Sequence, residues 1–428
     1  MDKCEYSKYC GGCSLQGLAY DKQLIKKQEY INSLLKSFGK VEDIIGMKDP
    51  YYYRNKIQVS FGYDDKHHLI CGNYVNDSHM IVPIKHCQII DNIGNTIIDS
   101  VLRIATKYKI SAFDEHSYKG CLRHLLIRTS NTGEVMLVIV TGSFNINKKE
   151  LFIRDILKYN PGITTIVQNF NNKHTSMILG DKNTTLFGRG YIYDRLCGLK
   201  FKISPHSFYQ INKRQTEVLY NKALELANFK GNETIIDAYC GTGTIGLIAS
   251  KNVKKVIGVE LNQSAVKDAI KNAKINEIEN ASFICDDAGH FMDKNKMPID
   301  ALIMDPPRSG ASDKFLKAVY RLRPNKIVYI SCGPESLRNN LFSLTKNGYI
   351  IETIQPVDMF PFTSVNHTET IVLLKNANKN NSNFKNHKNK SKFLSKELRK
   401  VENDRVNGRM GCSIDELESS LDQIINEN

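Results

Sequence analysis

The sequence contains no long apolar segment. No window of 18 consecutive residues is apolar, and the first ten residues, MDKCEYSKYC, lack the apolar core that signal peptides carry. These absences argue against a membrane-spanning protein and against an exported one, so we expect a cytoplasmic protein. In that reducing compartment the eleven cysteines are not expected to form disulfides, which leaves metal binding, catalysis or burial as their uses.

Acidic residues are too few to balance the basic ones. Lys and Arg total 59 against 45 Asp and Glu, which gives a formal net charge of +14. This excess favours a polyanionic partner, although charge alone does not identify it. With 428 residues, the chain is long enough for two or three domains with full cores.

From about residue 234, short β-branched runs alternate with helical patterns. The runs are TIIDAY, KVIGVEL, SFICDD, ALIMD, KIVYIS, YIIETIQPV and ETIVLL. This alternation predicts a parallel, doubly wound α/β sheet, in a domain that we place at residues 201–375. Residues 50–200 are rich in Tyr, Ile and Val between turn residues, and they predict an antiparallel or α+β domain.

The two ends of the chain differ from these predicted domains. Residues 1–90 carry a cysteine motif and are treated as a separate region. Residues 376–428 begin with a stretch rich in Asn and Lys, which predicts a solvated linker. Near the end, SIDELESSLDQII predicts an acidic helix, because Ser413 followed by Glu416 forms a capping box.

A glycine-rich turn follows the first predicted strand of the α/β domain. Gly241, Gly243 and Gly246 form a G-x-G-x-x-G motif, and Glu260 ends the next strand. Alone, this pattern fits either a nicotinamide or flavin dinucleotide or S-adenosylmethionine. The fourth strand favours the second reading, because it leads into DPPRSG, and a D-P-P turn there is similar to the signature of nucleic-acid and amine methyltransferases. We therefore predict S-adenosylmethionine as the cofactor.

A cysteine ends a later strand of the same sheet. In VYISCGPESL, Cys332 follows an apolar run, and Gly333 and Pro334 then turn the chain. Because the carboxyl ends of parallel strands form one edge, Cys332 is predicted to lie in the same crevice as the glycine-rich turn. A thiolate that adds to carbon 6 of uracil makes carbon 5 nucleophilic enough to take a methyl group. A base must then remove the proton from carbon 5, and Glu369, at the start of the last strand, is the candidate.

Together these motifs resemble the RNA uracil-C5 methyltransferases, which make 5-methyluridine. The resemblance covers residues 1 to about 375. It implies a class I S-adenosylmethionine-dependent methyltransferase domain with a Rossmann-like sheet, in which Cys332 is the nucleophile and Glu369, in HTE, is the proton acceptor. The cofactor contacts that it implies are Gln210 in SPHSFYQIN, Tyr239 in DAYCGTG, Glu260, and Asp305 in DPPR.

Two features depart from the pattern of the family. Gly333 stands where the family usually has Asn, in S-C-N-P, which alters the hydrogen bonding beside the nucleophile. The cysteine motif begins at residue 4, so we expect no amino-terminal RNA-binding β-barrel and look for RNA affinity elsewhere. The stretch YYYRNKIQVSF places aromatic rings beside Arg54 and Lys56, which suits base stacking and phosphate contacts. The alternative for this stretch is a partly exposed strand.

The amino-terminal cysteines have the spacing of metal ligands. Cys4, Cys10 and Cys13 form C-x5-C-x2-C, and Cys87 in IKHCQII is the predicted fourth ligand. Spacing does not separate zinc from an iron–sulfur cluster, but the resemblance favours a 4Fe–4S cluster with a structural or RNA-shaping role. The other cysteines are read as ordinary residues: Cys71, Cys121, Cys197, Cys240, Cys285 and Cys412.

The resemblance also implies the partner. Within the family the ribosomal RNA enzymes carry the cluster and the transfer RNA enzyme lacks it, which favours 23S ribosomal RNA, with transfer RNA as the alternative. We expect neither a membrane nor DNA as a partner, and a monomer. Two other functions stay open at this point, an oxidoreductase with an iron–sulfur centre and a non-catalytic RNA-binding protein on a methyltransferase scaffold.

Overall fold

The computed structural model describes residues 3–76 and 78–377. The linker and acidic helix predicted for residues 376–428 therefore fall outside the described residues, apart from the first two positions. Within the described part of the chain, no helix is both long enough and apolar enough to cross a membrane.

The amino-terminal half is built on a seven-stranded sheet. Its spatial order is β3-β2-β1-β4-β5-β6-β7, and all neighbours are antiparallel except β5 and β6, which α3 connects. The sheet packs its apolar residues against α2 and α3. The elements are α1 (Tyr20–Leu35), β1 (Lys56–Tyr63), β2 (Leu69–Tyr74), β3 (Ile81–Pro83), α2 (Asn92–Lys107), β4 (Leu122–Thr129), β5 (Val135–Thr141), α3 (Lys149–Tyr159), β6 (Ile163–Phe170) and β7 (Lys182–Phe187).

A two-stranded hairpin and a second seven-stranded sheet follow. The second sheet has the order β12-β11-β10-β13-β14-β16-β15. The elements are β8 (Ile192–Leu196), β9 (Leu199–Ile203), α4 (Lys213–Ala227), β10 (Thr234–Ala238), α5 (Thr244–Ala249), β11 (Lys255–Glu260), α6 (Gln263–Ile275), β12 (Ala281–Cys285), α7 (Ala288–Lys294), β13 (Ala301–Met304), α8 (Asp313–Leu322), β14 (Lys326–Ser331), α9 (Pro334–Lys346), β15 (Tyr349–Val357) and β16 (Glu369–Asn376).

All seven strands predicted for the α/β domain are present, but the prediction of a wholly parallel sheet was wrong. Strands β10 to β14 are mutually parallel, whereas β16 runs antiparallel to both of its neighbours, β14 and β15. Residues 358–368, which join β15 to β16, contain only a single 3₁₀ turn, Val365–His367. A parallel return needs a longer crossover, usually with a helix, so the chain reverses instead.

Helices cover both faces of this sheet. One face packs against α4, α5, α6 and the β8–β9 hairpin, and the other against α1, α7, α8 and α9. The strand order reverses between β10 and β13, whose connections leave in opposite directions. Open α/β sheets bind their ligands outside the carboxyl ends of the strands at such a point. The loops that follow β10 and β13 are therefore the expected ligand-binding site.

A buried ion pair attaches the amino-terminal helix to the loop before β16. Lys27 on α1 is fully buried, and its Nζ lies 2.7 Å from Oδ1 of Asp358 and 2.9 Å from the carbonyl oxygen of Phe360. The hydroxyl of Tyr20 donates to the other oxygen of Asp358 at 2.9 Å. Burying two charges is favourable only when both are paired and hydrogen-bonded, as they are here.

Removing one partner should therefore be strongly destabilising. Asp358→Ala leaves the Lys27 ammonium buried without a counter-charge, and we expect it to lower the free energy of unfolding by about 3–5 kcal/mol, measured by urea denaturation. Glu42→Ala, which breaks the exposed pair with Lys40, is the control and should change little. Equal losses in the two variants would contradict the structural role assigned to Lys27 and Asp358.

Candidate active site

The reversal of β16 brings Cys332 and Glu369 to the same edge of the sheet. In the β14–β16 register Ser331 lies opposite Thr370, so Cys332 follows the end of one strand where Glu369 begins the other. Glu369 is buried, and its Oε2 has no hydrogen-bond partner among the described residues. Buried carboxyl oxygens are normally hydrogen-bonded, so this oxygen is available to a bound molecule.

Asp305 joins this pair from the neighbouring strand. It follows β13 directly, and burial raises its pKa to about 7. Burial also raises the pKa of Glu369 well above its ordinary value, and the charge of Asp305 adds to the effect. Burial is the main cause that raises the pKa of Cys332 to about 12, and the charges of Glu369 and Asp305 add to it. Three acidic groups thus share one crevice, and together they favour the arrival of a positive charge.

The turn after Cys332 packs tightly against the D-P-P-R turn. The hydroxyl of Ser336 donates to the carbonyl oxygen of Arg308 at 2.8 Å. A Cβ atom placed on Gly333 would lie only 2.5 Å from the same carbonyl oxygen. The Gly that departs from the family pattern is therefore required by this close approach of the two turns.

Arg308 also connects the D-P-P-R turn to the residues before Glu369. Its Nη1 lies 2.8 Å from Nε2 of His367, and its Nη2 donates to the carbonyl oxygen of Asn366 at 3.3 Å. Burial and then the charge of Arg308 lower the pKa of His367. A neutral imidazole can accept the hydrogen bond from the guanidinium, which fixes the position of the loop beside Glu369.

The glycine-rich turn after β10 is held by two carboxylates. Oε2 of Glu260 accepts a hydrogen bond from the Gly241 amide at 3.1 Å, and Oδ2 of the buried Asp237 accepts one from the Gly246 amide at 2.9 Å. A Cβ on Gly246 would lie 2.6 Å from that Oδ2. Gly243 has a φ of +78°, which favours glycine. These contacts fix the shape of the turn.

The other predicted cofactor contacts surround the same edge. Tyr239 has a φ of +63°, and its ring centroid lies 5.4 Å from that of Phe315. The side-chain amide of Gln210 forms a hydrogen bond with the hydroxyl of Tyr220. Burial raises the pKa of Tyr220, and Asp305 adds to this, so Gln210 lies on the side of the crevice that faces Asp305.

Sequence reasoning missed two acidic residues one strand beyond Glu260 and one exposed aromatic ring. Asp286 and Asp287 directly follow β12, one strand beyond Glu260, and a carboxylate at a strand end was the available signal. Phe208 lies two residues before Gln210, and 65% of its surface is exposed. A large apolar ring so exposed is a candidate for stacking against a planar ligand. No local pattern in the sequence indicates this exposure.

The four predicted ligand cysteines line one small cavity near the amino terminus. It contains Cys4, Cys10, Cys13 and Cys87, with Arg54 in its wall. The Gly12 amide donates to Sγ of Cys10 at 3.4 Å. Burial raises the pKa of Cys13 to about 12, and the other three thiols contribute. Among residues 3–76 and 78–377, however, no three His, Cys, Asp or Glu side chains are spaced to hold a single metal ion.

Relatives of the chain identify its family. The family model described as tRNA (uracil-5-)-methyltransferase matches residues 181–377. A Clostridium acetobutylicum protein named an uncharacterized RNA methyltransferase is 42% identical over 388 residues, which cover 88% of this chain and 84% of that protein. A Bacillus cereus protein of the same name is 41% identical over 382 residues, with 87% and 83% covered. The chain belongs to the RNA uracil-5-methyltransferase family.

A solved structure of similar fold extends over both sheets of this methyltransferase. It is the tRNA (uracil-54, C5)-methyltransferase of Pyrococcus abyssi in complex with S-adenosyl-L-homocysteine. The TM-score is 0.73 with 28% identical residues, and 86% of each chain is covered. The class I methyltransferase fold predicted from the sequence is thereby confirmed.

The methyltransferase also contains a group of cations that forms no ion pair with an acidic residue among residues 3–76 and 78–377. Lys56 and Arg128 lie opposite each other on β1 and β4, and Arg54 lies close by. Arg128 is fully buried, and its Nε has no partner among the described residues. Burial is the main cause that lowers the pKa of Lys56 to about 8, and the positive charges of Arg128 and Arg54 lower it further. An unpaired Nε on a buried arginine is suited to binding an anion.

The aromatic stretch at the start of β1 is only partly available for stacking. Tyr53 is buried, and its hydroxyl donates to the carbonyl oxygen of Pro361 at 3.0 Å. Tyr51 packs against Phe362 with a centroid distance of 5.0 Å. The predicted stacking role is therefore wrong for Tyr53, because this ring is part of a small apolar core that includes Phe362, in the loop before β16.

The reactivity of Cys332 should report its acidic neighbours. Glu369→Gln removes one of the two carboxyl groups that raise the pKa of this thiol, so the thiol should ionise at lower pH. Because the thiolate is the reactive form, iodoacetamide should modify Cys332 several-fold faster at pH 8 in the variant, measured by peptide mass spectrometry.

Two controls accompany this measurement. The exposed Cys285 in the same molecule should react at an unchanged rate, and Glu279→Gln, at an exposed position, should leave Cys332 unaffected. An unchanged rate at Cys332 in Glu369→Gln would show that the two side chains do not interact in the free protein.

Proposed function

We propose that this protein transfers a methyl group from S-adenosylmethionine to carbon 5 of a uridine in RNA. The observation that carries the proposal is the register of β14 and β16, which sets the thiol of Cys332 beside the buried carboxyl of Glu369 at the cofactor edge of the sheet. A non-catalytic RNA-binding protein has no need of a buried thiol and carboxyl pair, since burial of such groups is costly.

The residues around the crevice fit S-adenosylmethionine. Asp305 and Glu369 are buried acidic groups that favour a cation, and Oε2 of Glu369 has no partner among the described residues. When bound, the cofactor supplies a methyl group on a positively charged sulfur. Gln210, Tyr239, Glu260 and Asp305 are the residues proposed to hold it. The related Pyrococcus abyssi enzyme was solved with the demethylated product, S-adenosyl-L-homocysteine.

Cys332 is the proposed nucleophile. Its thiolate forms a bond to carbon 6 of the uracil ring, and the electron pair of the carbon 5–carbon 6 double bond moves to the carbonyl group as an enolate. Carbon 5 then becomes nucleophilic and accepts the methyl group. Burial and the neighbouring carboxyl groups raise the pKa of Cys332 to about 12 in the free protein, and the pKa of Glu369 is raised too. Both groups must therefore release their protons to solvent once a positive charge lies in the crevice, before the thiolate adds to carbon 6.

Glu369 completes the reaction as the proposed base. After methyl transfer, carbon 5 carries both the methyl group and its original hydrogen. The carboxylate takes this proton, the electron pair restores the double bond, and the bond between carbon 6 and Sγ of Cys332 breaks. The raised pKa of Glu369 makes it a stronger base than an exposed glutamate.

A group of cations and the exposed ring of Phe208 support RNA as the substrate. Arg128 donates to the carbonyl oxygen of Ser207, so this group lies next to the segment that carries Phe208. We propose that the partly exposed Arg54 and Lys56 neutralise a phosphate group near the target nucleotide and that Phe208 stacks on an unstacked base. A uridine inside a helix must be flipped out before Cys332 can reach carbon 6.

The proposed RNA is 23S ribosomal RNA, with transfer RNA as the alternative. The cavity lined by four cysteines supports the first, because within the family the ribosomal RNA enzymes carry a cluster. The name of the Pyrococcus abyssi enzyme and that of the family model support the second. The two RNAs are separable by experiment.

We further propose a 4Fe–4S cluster on Cys4, Cys10, Cys13 and Cys87. All four thiols line one cavity, and the amides of Ile89 and Ile90 hydrogen-bond to the sulfur of Cys87, which stabilises a thiolate ligand. A 4Fe–4S cluster is held by four cysteine thiolates, and four cysteine thiols line this cavity. Its role is to join residues 4–13 to residue 87.

The order of the chemical steps can be tested with two variants. Glu369→Gln retains the nucleophile but lacks the base, so with unmodified 23S ribosomal RNA and labelled cofactor it should accumulate methylated RNA bound to the protein, visible as a denaturant-resistant band. Cys332→Ala should give no band, and its turnover should fall by at least about a hundredfold. Glu279→Gln is the control and should turn over normally.

Each alternative gives a different result in the same experiment. Adduct on unmodified transfer RNA alone would overturn the choice of ribosomal RNA and leave the uracil chemistry intact. Normal turnover by Glu369→Gln would show that another group is the base. Loss of activity in Glu369→Gln with no adduct would show that Glu369 is needed before or during the attack by Cys332.

The cluster has its own test. Protein purified without oxygen should be brown and contain iron and sulfide, and Cys13→Ala should reduce the iron content, whereas Cys285→Ala should not. One zinc ion per chain and no iron would exclude the cluster while leaving the four ligands possible.

A further inference from the structure

The β8–β9 hairpin has two faces of opposite character. Its inner face, which includes Ile192, Leu196, Phe201 and Ile203, is buried in the core beside α4. Its outer face consists of the alternate residues, which point away from that core. They are Tyr193, Arg195, Lys200 and Lys202, with Arg189 and Tyr191 just before β8. The outer face is therefore built only of aromatic and basic side chains.

The rings and cations of this outer face contact one another closely. Nζ of Lys200 lies 4.1 Å from the ring centroid of Tyr193, and Nζ of Lys202 lies 4.6 Å from that of Tyr191. The guanidinium of Arg189 lies 4.7 Å and 5.0 Å from the same two centroids. Such contacts normally occur about once per 70–80 residues, so four of them within one hairpin mark a distinct surface.

Only some of these cations have acidic partners. Arg189 forms an ion pair with Glu134, and Lys202 lies 3.3 Å from Asp268. Arg195 and Lys200 have no ion-pair partner in the part of the chain that the structure describes, although they lie opposite each other in the β8–β9 register. Two like charges placed directly opposite destabilise a sheet unless an anion is bound between them. This pair is therefore a candidate contact for phosphate groups.

Hydrogen bonds connect the outer face of the hairpin to residues 204–208, which follow β9. Oδ1 of Asp268 contacts Lys202, and its Oδ2 accepts hydrogen bonds from the hydroxyls of Ser204 at 3.0 Å and Ser207 at 2.8 Å. Phe208 follows directly. Through Asp268, the hairpin is thus connected to the segment that carries the exposed ring of Phe208, two residues before Gln210.

We propose that the outer face of the β8–β9 hairpin binds the single-stranded RNA that flanks the target uridine. Arg195 and Lys200 contact its phosphate groups, and Tyr191 and Tyr193 provide rings for base stacking. Alternation of cations with rings is the arrangement used for unpaired strands, since each base offers a ring face and each nucleotide a negative charge. The proposal rests on the proposed function and adds the path of the substrate to it.

The test compares two doubly charge-reversed variants with a fluorescein-labelled single-stranded RNA. R195E/K200E keeps a like-charge pair in the hairpin, so folding is affected little, but we expect RNA binding to weaken about tenfold in fluorescence anisotropy. The slope of log affinity against log salt should fall by about 1.4, since each phosphate contact on a single strand contributes about 0.7. K317E/K346E makes the same charge change on exposed positions of α8 and α9, on the opposite face of the sheet, and should bind with an unchanged slope.

The outcomes distinguish this proposal from the function on which it rests. Wild-type protein that methylates no RNA would reject the function. Active wild-type protein, with the same affinity and salt slope in R195E/K200E, would reject the surface, and so would equal weakening in K317E/K346E. If circular dichroism shows that R195E/K200E is unfolded, R195Q/K200Q replaces it and should also lower the slope by about 1.4, since it removes the same two cationic contacts.

Discussion

The position of Glu369 depends on a chain reversal at the end of the second sheet. Residues 358–368 are too short for a crossover, so β16 returns antiparallel and its first residue lies at the edge where the parallel strands end. A parallel β16 would place that carboxyl on the opposite edge, away from Cys332 and the glycine-rich turn. The assembly of nucleophile, base and cofactor crevice at one edge therefore follows from the length of a single loop.

The electrostatics of the site follow from the same assembly. Asp305, Cys332 and Glu369 come from three different strands, and in the free protein burial favours their protonated forms. A cationic sulfur is the complement of such a crevice. The surfaces proposed to meet RNA are basic, with cations at Arg54 and Lys56 and along the hairpin. These cations attract phosphate groups, whereas the crevice becomes negative only when its own groups release protons as a cationic sulfur binds.

Much of the catalytic half could be predicted from the sequence because its signals are local. Each strand of the second sheet is a short β-branched run, and the glycine-rich turn, D-P-P-R and S-C-G-P each follow a strand directly. The direction of β16 depends on a loop length whose significance is clear only once the neighbouring strands are known. The exposure of Phe208 and the burial of Tyr53 and Lys27 depend on contacts between distant segments, which no local pattern contains. The close approach that requires Gly333 is likewise a contact between two turns.

The buried pair of Lys27 and Asp358 has a consequence for how the protein is made. The two residues are 331 positions apart, so a ribosome completes almost all of the catalytic domain before the amino-terminal helix can find its counter-charge. Until then α1 exposes an unneutralised lysine and the apolar face around Ile31 and Leu35. Domains usually fold in order of synthesis, but this helix must wait for the end of the chain. The apolar face of the first helix therefore stays uncovered until residue 358 has been made, which leaves it exposed for most of the time of synthesis.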